Sequence, residues 1–171
     1  MMIQNIIYFA FRKSTLGQVL IAQNNIGICF IALGDRADEL LKDLQSSFLG
    51  SHFVCNQSKL DLYLNKTIDF LKTPNFDLHF PLSLSGSDFQ KKVWAAIQNI
   101  PRGTTLSYSG LAKIIGMPKS TRAVARACAS NRIALAIPCH RVICSNGDIS
   151  GYRWGIDRKK ALLKLEKYIQ I

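Results

Sequence analysis

The residues most able to do chemistry form one short run, Ile137–Val142, in which a thiol, an imidazole and a guanidinium follow a proline. Cysteine reacts as its thiolate, and neighbouring positive charge lowers the pKa at which the thiolate forms. Pro138 steers the residue before it out of helical geometry, so the chain turns at Cys139. Adjacent side chains do not face each other, so Cys139 and His140 need a sharp turn or an intervening water. The alternative is a buried loop cysteine without chemistry.

A carboxylate near the C-terminus could complete this chemistry. The pattern predicts a last helix from Arg158 to about Tyr168, capped by Asp157, with Glu166 within its apolar stripe. No basic residue lies three or four positions from Glu166, so a helix ion pair does not explain it. An inward-facing carboxylate normally has a partner, and it can orient a histidine ring and set its tautomer. The alternative is an exposed glutamate at a frayed helix end.

Residues 107–130 predict two short helices that could present the thiol to a polyanion. Gly116–Lys119 forms the turn between them, and Ser120 can cap the second helix, which is rich in alanine. Arg122 and Arg126 lie four residues apart on one face, an unfavourable arrangement without an external anion. The pattern indicates a helix-turn-helix that binds DNA. The alternative is a packing helix with two solvated arginines.

Charge supports the DNA hypothesis because it is confined to one half of the chain. The 171 residues carry a formal net charge of +11. Residues 1–85 hold 7 basic and 7 acidic residues, whereas residues 86–171 hold 15 and 4, so the second half carries the whole excess. A neutral half beside a basic half predicts that only the second half meets a polyanion.

The elements that must position these residues predict an α+β fold with two domains. Residues 1–82 read as an α/β scaffold with a small antiparallel sheet and helices. Its predicted strands include Phe76–Phe80, and Asp35 and Ser58 are the expected helix caps. Residues 86–171 read as a mainly helical, winged-helix-like domain with the helix-turn-helix, the cysteine loop, and a capping box at Ser87 and Gln90.

The remaining composition excludes several classes of protein. The five cysteines are odd in number and include no CxxC pair, which favours reduced thiols and a cytoplasmic protein. No apolar run approaches membrane-spanning length, and the first residues lack the features of a secretory signal. Histidines and cysteines have no metal-ligand spacing, so we expect no metal.

The second half resembles the O6-alkylguanine-DNA alkyltransferases, also called methylated-DNA–protein-cysteine methyltransferases, of the bacterial type. The matching residues lie in the same order as in the family and span residues 87–166: Phe89-Gln90, Val93-Trp94, Pro101, Gly103, Ser107-Tyr108, Arg122-Ala123-Val124, Asn131, Pro138-Cys139-His140-Arg141-Val142, Gly151-Tyr152 and Glu166. Residues 1–80 match only loosely.

The resemblance implies direct-reversal DNA repair in a single turnover. Cys139 would accept the alkyl group, mainly methyl, as an irreversible thioether, and no cofactor would be needed. His140 would take the thiol proton through a water, with Glu166 holding the ring. Tyr108 would protonate guanine N3, and Asn131 would brace the turn before the cysteine. The target base must be flipped out because its O6 lies inside the duplex.

The resemblance also implies how substrate and DNA are bound. Four residues would form the guanine pocket: Val142, Tyr152, Arg153 and Trp154. Six would contact DNA: Arg122, Ala123, Ala125, Arg126, Ala127 and Ser145. Arg122 would fill the space of the flipped nucleotide, and the small helix would approach the minor groove. We expect a monomer acting on duplex DNA with O6-alkylguanine, and O4-alkylthymine is a further substrate that the family allows.

Departures from the family pattern set further expectations. Members with wide pockets have a small residue at the position of Trp154 and proline at that of Ala134, so we expect a tighter pocket that favours methyl. The additional domain of the family's regulator is not in this chain, so we expect no transcriptional activation. The principal alternative is a non-reacting lesion-binding or regulatory helix-turn-helix protein. A thiol redox sensor using Cys139 and Cys144, and a Cys-His hydrolase, are the others.

Overall fold

A computed structural model describes residues 5–167, and the chain divides into two compact units between Leu84 and Ser85. The division falls within the segment Pro81–Ser87, where proline, glycine and serine disfavour regular structure. The assignment of a scaffold domain over 1–82 and a DNA-binding domain over 86–171 stays a prediction.

The first unit is built on a four-stranded sheet. Its strands are β1 Ile6–Ser14, β2 Gly17–Gln23, β3 Ile28–Gly34 and β4 His52–Cys55, in the order β3-β2-β1-β4. The first three strands pair antiparallel, whereas β4 pairs parallel to β1. The predicted α+β class and small antiparallel sheet are confirmed, with β4 as a parallel addition.

Two helices pack on this sheet through apolar stripes. They are α1 Ala37–Ser47, which contacts β3 and β2, and α2 Gln57–Lys72, which contacts β1 and β2. Their predicted caps were wrong. Arg36, not Asp35, precedes α1. Asn56, not Ser58, caps α2, because the Asn56 side chain accepts a hydrogen bond from the Lys59 amide at 3.0 Å.

The predicted strand Phe76–Phe80 was wrong, and β4 takes its place in the sheet. The rings at both ends of that segment pack edge-to-face on α2, with centroids 6.1 Å from Phe70 and 5.0 Å from Tyr63. The alternating apolar residues of this segment therefore contact a helix and do not form a strand. Alternation reports that side chains are buried on one side, and a strand is only one way to achieve this.

The second unit is mainly helical. Its helices are α3 Asp88–Gln98, α4 Tyr108–Ile114, α5 Thr121–Ala129 and α6 Ile156–Leu165, with a 3-10 turn at Cys139–Arg141. α3 packs against α4 and α5. Both α3 and α6 contact the 3-10 turn. Two-residue strands β5 Leu106–Ser107 and β6 Val142–Ile143 pair in parallel. This pairing brings the start of α4 beside the residues that follow Cys139.

Local capping explains where two of these helices begin. The predicted capping box before α3 is confirmed: the Ser87 amide donates to the Gln90 side chain at 2.8 Å, and the Gln90 amide donates back at 3.2 Å. Ser107 caps α4 by accepting a hydrogen bond from the Gly110 amide at 2.9 Å. Both caps use a serine hydroxyl to satisfy an amide that the helix leaves unpaired.

Two other predicted caps were wrong. Ser120 precedes α5 but makes no capping hydrogen bond with its side chain. α6 begins after Gly155, so Asp157 lies inside its first turn, where its charge complements the helix dipole. The helix ends at Leu165, short of its predicted end at about Tyr168, which lies outside the described residues. Among residues 5–167, no helix is long and apolar enough to cross a membrane.

Candidate active site

Cys139 begins the 3-10 turn and is held there by a buried amide. Its side chain is 6% exposed, and the Asn131 side chain donates a hydrogen bond to Sγ at 3.2 Å. The same amide group donates to the Ile137 carbonyl at 3.0 Å, and its oxygen accepts from the Ile133 amide at 2.9 Å. Asn131 therefore ties the segment after α5 to the turn that carries the thiol.

The turn also departs from the ordinary backbone conformations just before the thiol. Leu135 has a φ of 69°, in the left-handed region that residues with a β-carbon seldom adopt. Pro138 precedes the 3-10 turn, and the Arg141 amide donates to its carbonyl at 2.9 Å. The sharp change of direction that Pro138 predicts is present, and it sets Cys139 and His140 in one tight turn.

His140 and Glu166 form a buried pair. His140 is fully buried, and its Nε2 lies 2.9 Å from Oε1 of Glu166. The carboxylate therefore fixes the orientation of the ring, and the other nitrogen, Nδ1, remains to accept a proton. Glu166 stands immediately after α6 and is 6% exposed, so the inward-facing position is observed and the frayed, exposed alternative is excluded.

Arg141 is a second partner of Glu166 that the sequence reasoning did not assign. Its Nε and Nη2 donate to the two carboxylate oxygens at 2.9 Å and 2.8 Å, a bidentate pair. Its Nη1 donates to the Ile100 carbonyl at 2.8 Å. Arg141 thus joins the end of α3, the cysteine turn and the end of α6. No spacing rule could find this pair, because its two members lie 25 residues apart.

The close packing behind Glu166 explains a nearby glycine. Gly103 has a φ of 76°, and a β-carbon there would lie 3.0 Å from the Glu166 carbonyl oxygen. Only glycine combines this backbone conformation with so close an approach. The family-matching Gly103 therefore serves the position of the carboxylate.

Burial and pairing set the charge states of this cluster. Burial lowers the pKa of His140 despite the opposing effect of Glu166, so the ring is neutral at pH 7 and can accept a proton. Burial alone would raise the pKa of Glu166, but hydrogen bonds from His140 and Arg141 bring it down to about 2. Burial raises the pKa of Cys139, although Asn131 and the charge of Lys159 oppose this effect.

Cys139 opens on a cavity of about 550 Å³. Three thiols and two phenol rings belong to the lining, which comprises Tyr108, Ala125, Cys128, Ala129, Cys139, Cys144, Ser150, Gly151, Tyr152 and Arg153. Among these lining residues, Arg153 is the one with a formal charge at pH 7. A largely apolar cavity of this size beside a buried thiol can hold an uncharged planar ring.

Tyr108 lies in the cavity wall at the start of α4. Its ring faces Lys159, a residue that the sequence did not lead us to expect at the site. Burial, followed by the neighbouring thiols, raises the pKa of Tyr108 to about 12, so its hydroxyl carries a proton. Lys159 on α6 is fully buried, with Nζ 5.9 Å from the centre of the Tyr108 ring. The signal was present: Lys159 lies seven residues before Glu166, on the same face of the helix.

Lys159 closes the loop between β6 and α6. Its Nζ donates to three carbonyls, those of Val142 at 2.6 Å, Ser150 at 3.1 Å and Gly151 at 3.2 Å. The backbone carbonyl of Val142, a predicted pocket residue, thus accepts a hydrogen bond from this lysine. Burial lowers the pKa of Lys159, and the nearby thiols oppose this change.

The other predicted pocket residues occupy different positions. Tyr152 and Arg153 line the cavity, whereas Trp154 is buried behind it. The rings of Tyr152 and Trp154 pack edge-to-face with centroids 5.2 Å apart, so Trp154 acts on the cavity through Tyr152. The hydroxyl of Tyr152 is buried.

The residues predicted to contact DNA lie on α5 and in the turn after β6. Arg122, Arg126 and Ser145 are exposed, whereas Ala123 and Ala125 are half-buried. Ala127 differs from the expectation: it is 2% exposed, and its carbonyl accepts a hydrogen bond from Trp94 of α3 at 2.8 Å. α4 and α5 pack on each other as the spacing predicts, and their binding to DNA stays a prediction.

No group of three His, Cys, Asp or Glu side chains in residues 5–167 could hold a metal ion. The thiols of Cys128, Cys139 and Cys144 share the cavity but do not form such a group.

Comparison with known proteins agrees with this geometry. A family model described as "6-O-methylguanine DNA methyltransferase, DNA binding domain" matches residues 88–168. The bifunctional transcriptional activator/DNA repair enzyme Ada of Escherichia coli is 42% identical over 92% of this chain, which spans 45% of that protein. The methylated-DNA–protein-cysteine methyltransferase of Kluyveromyces lactis is 33% identical, with 96% of this chain and 99% of that protein aligned.

A solved structure extends the likeness to the fold. The crystal structure of Mycobacterium tuberculosis OGT in complex with DNA has a TM-score of 0.80 and 30% identity, covering 94% of this chain and 92% of that one. The chain spans less than half of the first two curated relatives, Ada among them, but nearly all of the Kluyveromyces protein. By sequence and fold, the chain belongs to the methylated-DNA–protein-cysteine methyltransferase family, the O6-alkylguanine-DNA alkyltransferases.

Proposed function

We propose that this protein repairs DNA by moving the alkyl group of O6-alkylguanine, mainly methyl, onto Cys139. The observation that carries the proposal is the buried thiol of Cys139 on a ring-sized cavity, next to a neutral His140 that Glu166 holds by one nitrogen. These are the parts that a thiol needs to attack carbon: a base, an orienting carboxylate and a largely apolar pocket.

The reaction is a displacement at the alkyl carbon. Cys139 loses its proton through a water to His140, and Sγ attacks the carbon bound to O6. The carbon–oxygen bond breaks, its electron pair stays on guanine, and the Tyr108 hydroxyl protonates N3. The product is a thioether, which is a poor leaving group at neutral pH, so each protein acts once. None of these steps calls for a metal or an organic cofactor.

The arginines of α5 supply the contact with duplex DNA. Arg122 enters the space of the flipped nucleotide, and Arg126 and Ser145 contact the backbone. Ala123 and Ala125 let the helix approach the minor groove closely. The chain acts as a monomer on DNA, in the cytoplasm. Mycobacterium tuberculosis OGT, whose structure was solved in complex with DNA, supports this assignment.

A protein that binds the lesion without reacting is the second candidate. It would share the arginines and the cavity but would not need an acceptor thiol. The contacts that Arg141 and His140 make with Glu166 favour the reacting protein, because lesion binding alone needs no oriented base.

The test is methyl transfer from a defined lesion. Duplex DNA with a single O6-methylguanine is incubated with the protein, and the adduct is mapped by peptide mass spectrometry. We expect one methyl group per protein, on Cys139, and none in Cys139→Ser. Cys55→Ser, which removes an exposed thiol of β4, is the matched control and should react as the wild type does. DNA binding without transfer would support the lesion-binding candidate instead.

A further inference from the structure

Two buried polar atoms beside the thiol lack hydrogen-bond partners within the described part of the protein. They are Nδ1 of His140 and the hydroxyl oxygen of Tyr152. Buried polar groups are nearly always paired with protein or with ordered water. A third such atom, Nε1 of Trp154, belongs to the ring against which Tyr152 packs.

The two atoms belong to neighbouring rings on the same site. The rings of His140 and Tyr152 meet edge-to-face with centroids 6.5 Å apart, and Tyr152 lines the cavity with Cys139. Burial raises the pKa of Tyr152, and the charges of Cys139 and Glu166 raise it further. The hydroxyl thus lies within electrostatic reach of both ends of the relay and keeps its proton.

We propose that the Tyr152 hydroxyl is a positioning group of the proton relay: together with Nδ1 of His140 it holds the water through which Cys139 is deprotonated. This inference rests on the proposed function. A single water with Nδ1, the hydroxyl and Sγ as partners has about the three hydrogen bonds that buried waters typically make. It satisfies both orphaned atoms at once.

The hydroxyl gains and loses no proton in this scheme. The S–H bond breaks, the water takes that proton, and one of its own protons passes to Nδ1 of His140. The water then accepts hydrogen bonds from protonated His140 and from Tyr152, and it donates one to the thiolate. The new S–C bond forms as the C–O6 bond breaks. Tyr152 therefore favours the thiolate–imidazolium state, in which the thiol is nucleophilic.

The test replaces only the hydroxyl. Tyr152→Phe keeps the ring that lines the cavity and packs on Trp154. The rate of Cys139 alkylation by iodoacetamide is measured from about pH 6 to 10 on the DNA-free protein, a range that brackets the usual pKa of a thiol. The Cys139 peptide is followed by mass spectrometry. The matched control is Tyr63→Phe, which removes a phenolic hydroxyl from α2 in the first unit.

The groups around Cys139 that remain in this variant are Tyr108 on α4, Cys128 on α5, His140 and Arg141 in the turn, Cys144 after β6, Arg153 before α6, and Lys159 and Glu166 on and after α6. A change in the pH profile therefore reports the lost hydroxyl.

We expect the apparent pKa of Cys139 to rise in Tyr152→Phe, with a rate about tenfold lower at pH 7 that recovers at high pH, where the thiolate forms unaided. A purely structural role would lower the rate equally at every pH. An unchanged profile, or an equal loss across the range, would overturn the proposal.

A double-mutant cycle keeps the test decisive if Tyr152→Phe is also less stable. Adding Tyr152→Phe to His140→Gln should have no further effect on the Cys139 profile, because both residues act through one water. An additive effect would contradict the shared relay. Iodoacetamide needs no DNA, so a failure of methyl transfer in the wild type would overturn the proposed function and leave the Tyr152 measurement interpretable.

Discussion

Glu166 binds His140 by a single ring nitrogen, with Nε2 2.9 Å from Oε1, and this contact decides which end of the imidazole can act. Because Nε2 is occupied, Nδ1 is the nitrogen that accepts a proton. The side chains of Glu166 and His140 are almost completely buried, so solvent does not compete for the contact. This geometry supports the proposed relay, in which a water joins Cys139 to His140.

Glu166→Gln should slow methyl transfer and destabilise the fold. The neutral amide carries no negative charge and cannot accept both hydrogen bonds from Arg141. The buried guanidinium is then left without a counter-charge, which lowers the free energy of unfolding by about 3 kcal/mol. We expect a single-turnover rate about 100-fold lower at pH 7, since the base loses its orientation. Quenched-flow transfer and urea unfolding measure the two effects. Glu39→Gln, at an exposed surface pair with Arg36, should change neither.

Stability should fall with acid in two stages. The pKa of His140 is lowered by folding, so the unfolded chain binds the proton more tightly, and stability decreases as pH drops below about 6.5. The pKa of Glu166 is lowered to about 2, so its contribution is lost between about pH 4.3 and 2. Urea unfolding at a series of pH values checks both stages. The second stage should be smaller in Glu166→Gln, and an equal loss would contradict its assignment.

Lys159→Met should loosen the loop between β6 and α6. The substitution keeps an unbranched apolar chain but leaves the buried carbonyl of Val142 and the partly buried carbonyls of Ser150 and Gly151 without their donor, which costs about 2 kcal/mol. We expect a lower midpoint of thermal unfolding and slower transfer, because residues 150–153 line the cavity. Lys160→Met changes an exposed neighbour on the same helix and serves as control. Wild-type stability in Lys159→Met would show that the loop does not depend on Nζ.

Arg122→Ala should impair reaction with duplex DNA and spare the thiol itself. Arg122 is exposed and does not line the cavity. We expect transfer from duplex O6-methylguanine to fall about tenfold or more, with unchanged alkylation of Cys139 by iodoacetamide, because only flipping is affected. Lys66→Ala, an exposed cation of α2, should leave both rates unchanged. Equal losses with DNA and with iodoacetamide would indicate damage to the fold instead.

The cavity should discriminate against large alkyl groups. Trp154 is buried and supports the Tyr152 ring in the cavity wall, so widening the cavity requires the displacement of two packed rings. We expect inactivation by O6-benzylguanine to be at least about tenfold slower than by methylated DNA, in competition assays that follow the remaining active protein. Comparable rates for the two reagents would contradict a tight pocket.

Features governed by neighbours in sequence were predictable. The capping box of Ser87 and Gln90, the helix start at Ser107 and the turn at Pro138 depend on residues at most three positions apart, and all are present. The run of residue types around Cys139 predicted a candidate reactive thiol and left a buried loop cysteine as the alternative. The inward position of Glu166 followed from helical periodicity, which depends on the same short range.

Tertiary structure alone decided which segments and side chains distant in sequence come into contact. The choice of His52–Cys55 over Phe76–Phe80 as a strand depends on which segment reaches β1, and the pairing of Arg141 with Glu166 joins elements distant in sequence. Lys159 looks like one more cation of a basic helix until the carbonyls of another segment surround it. The sequence by itself determined the candidate cysteine, Cys139, and the tight turn that holds it. Only folding brought together the side chains of His140, Glu166, Tyr108 and Tyr152 at this site, because long-range contacts leave no periodic signal in a chain.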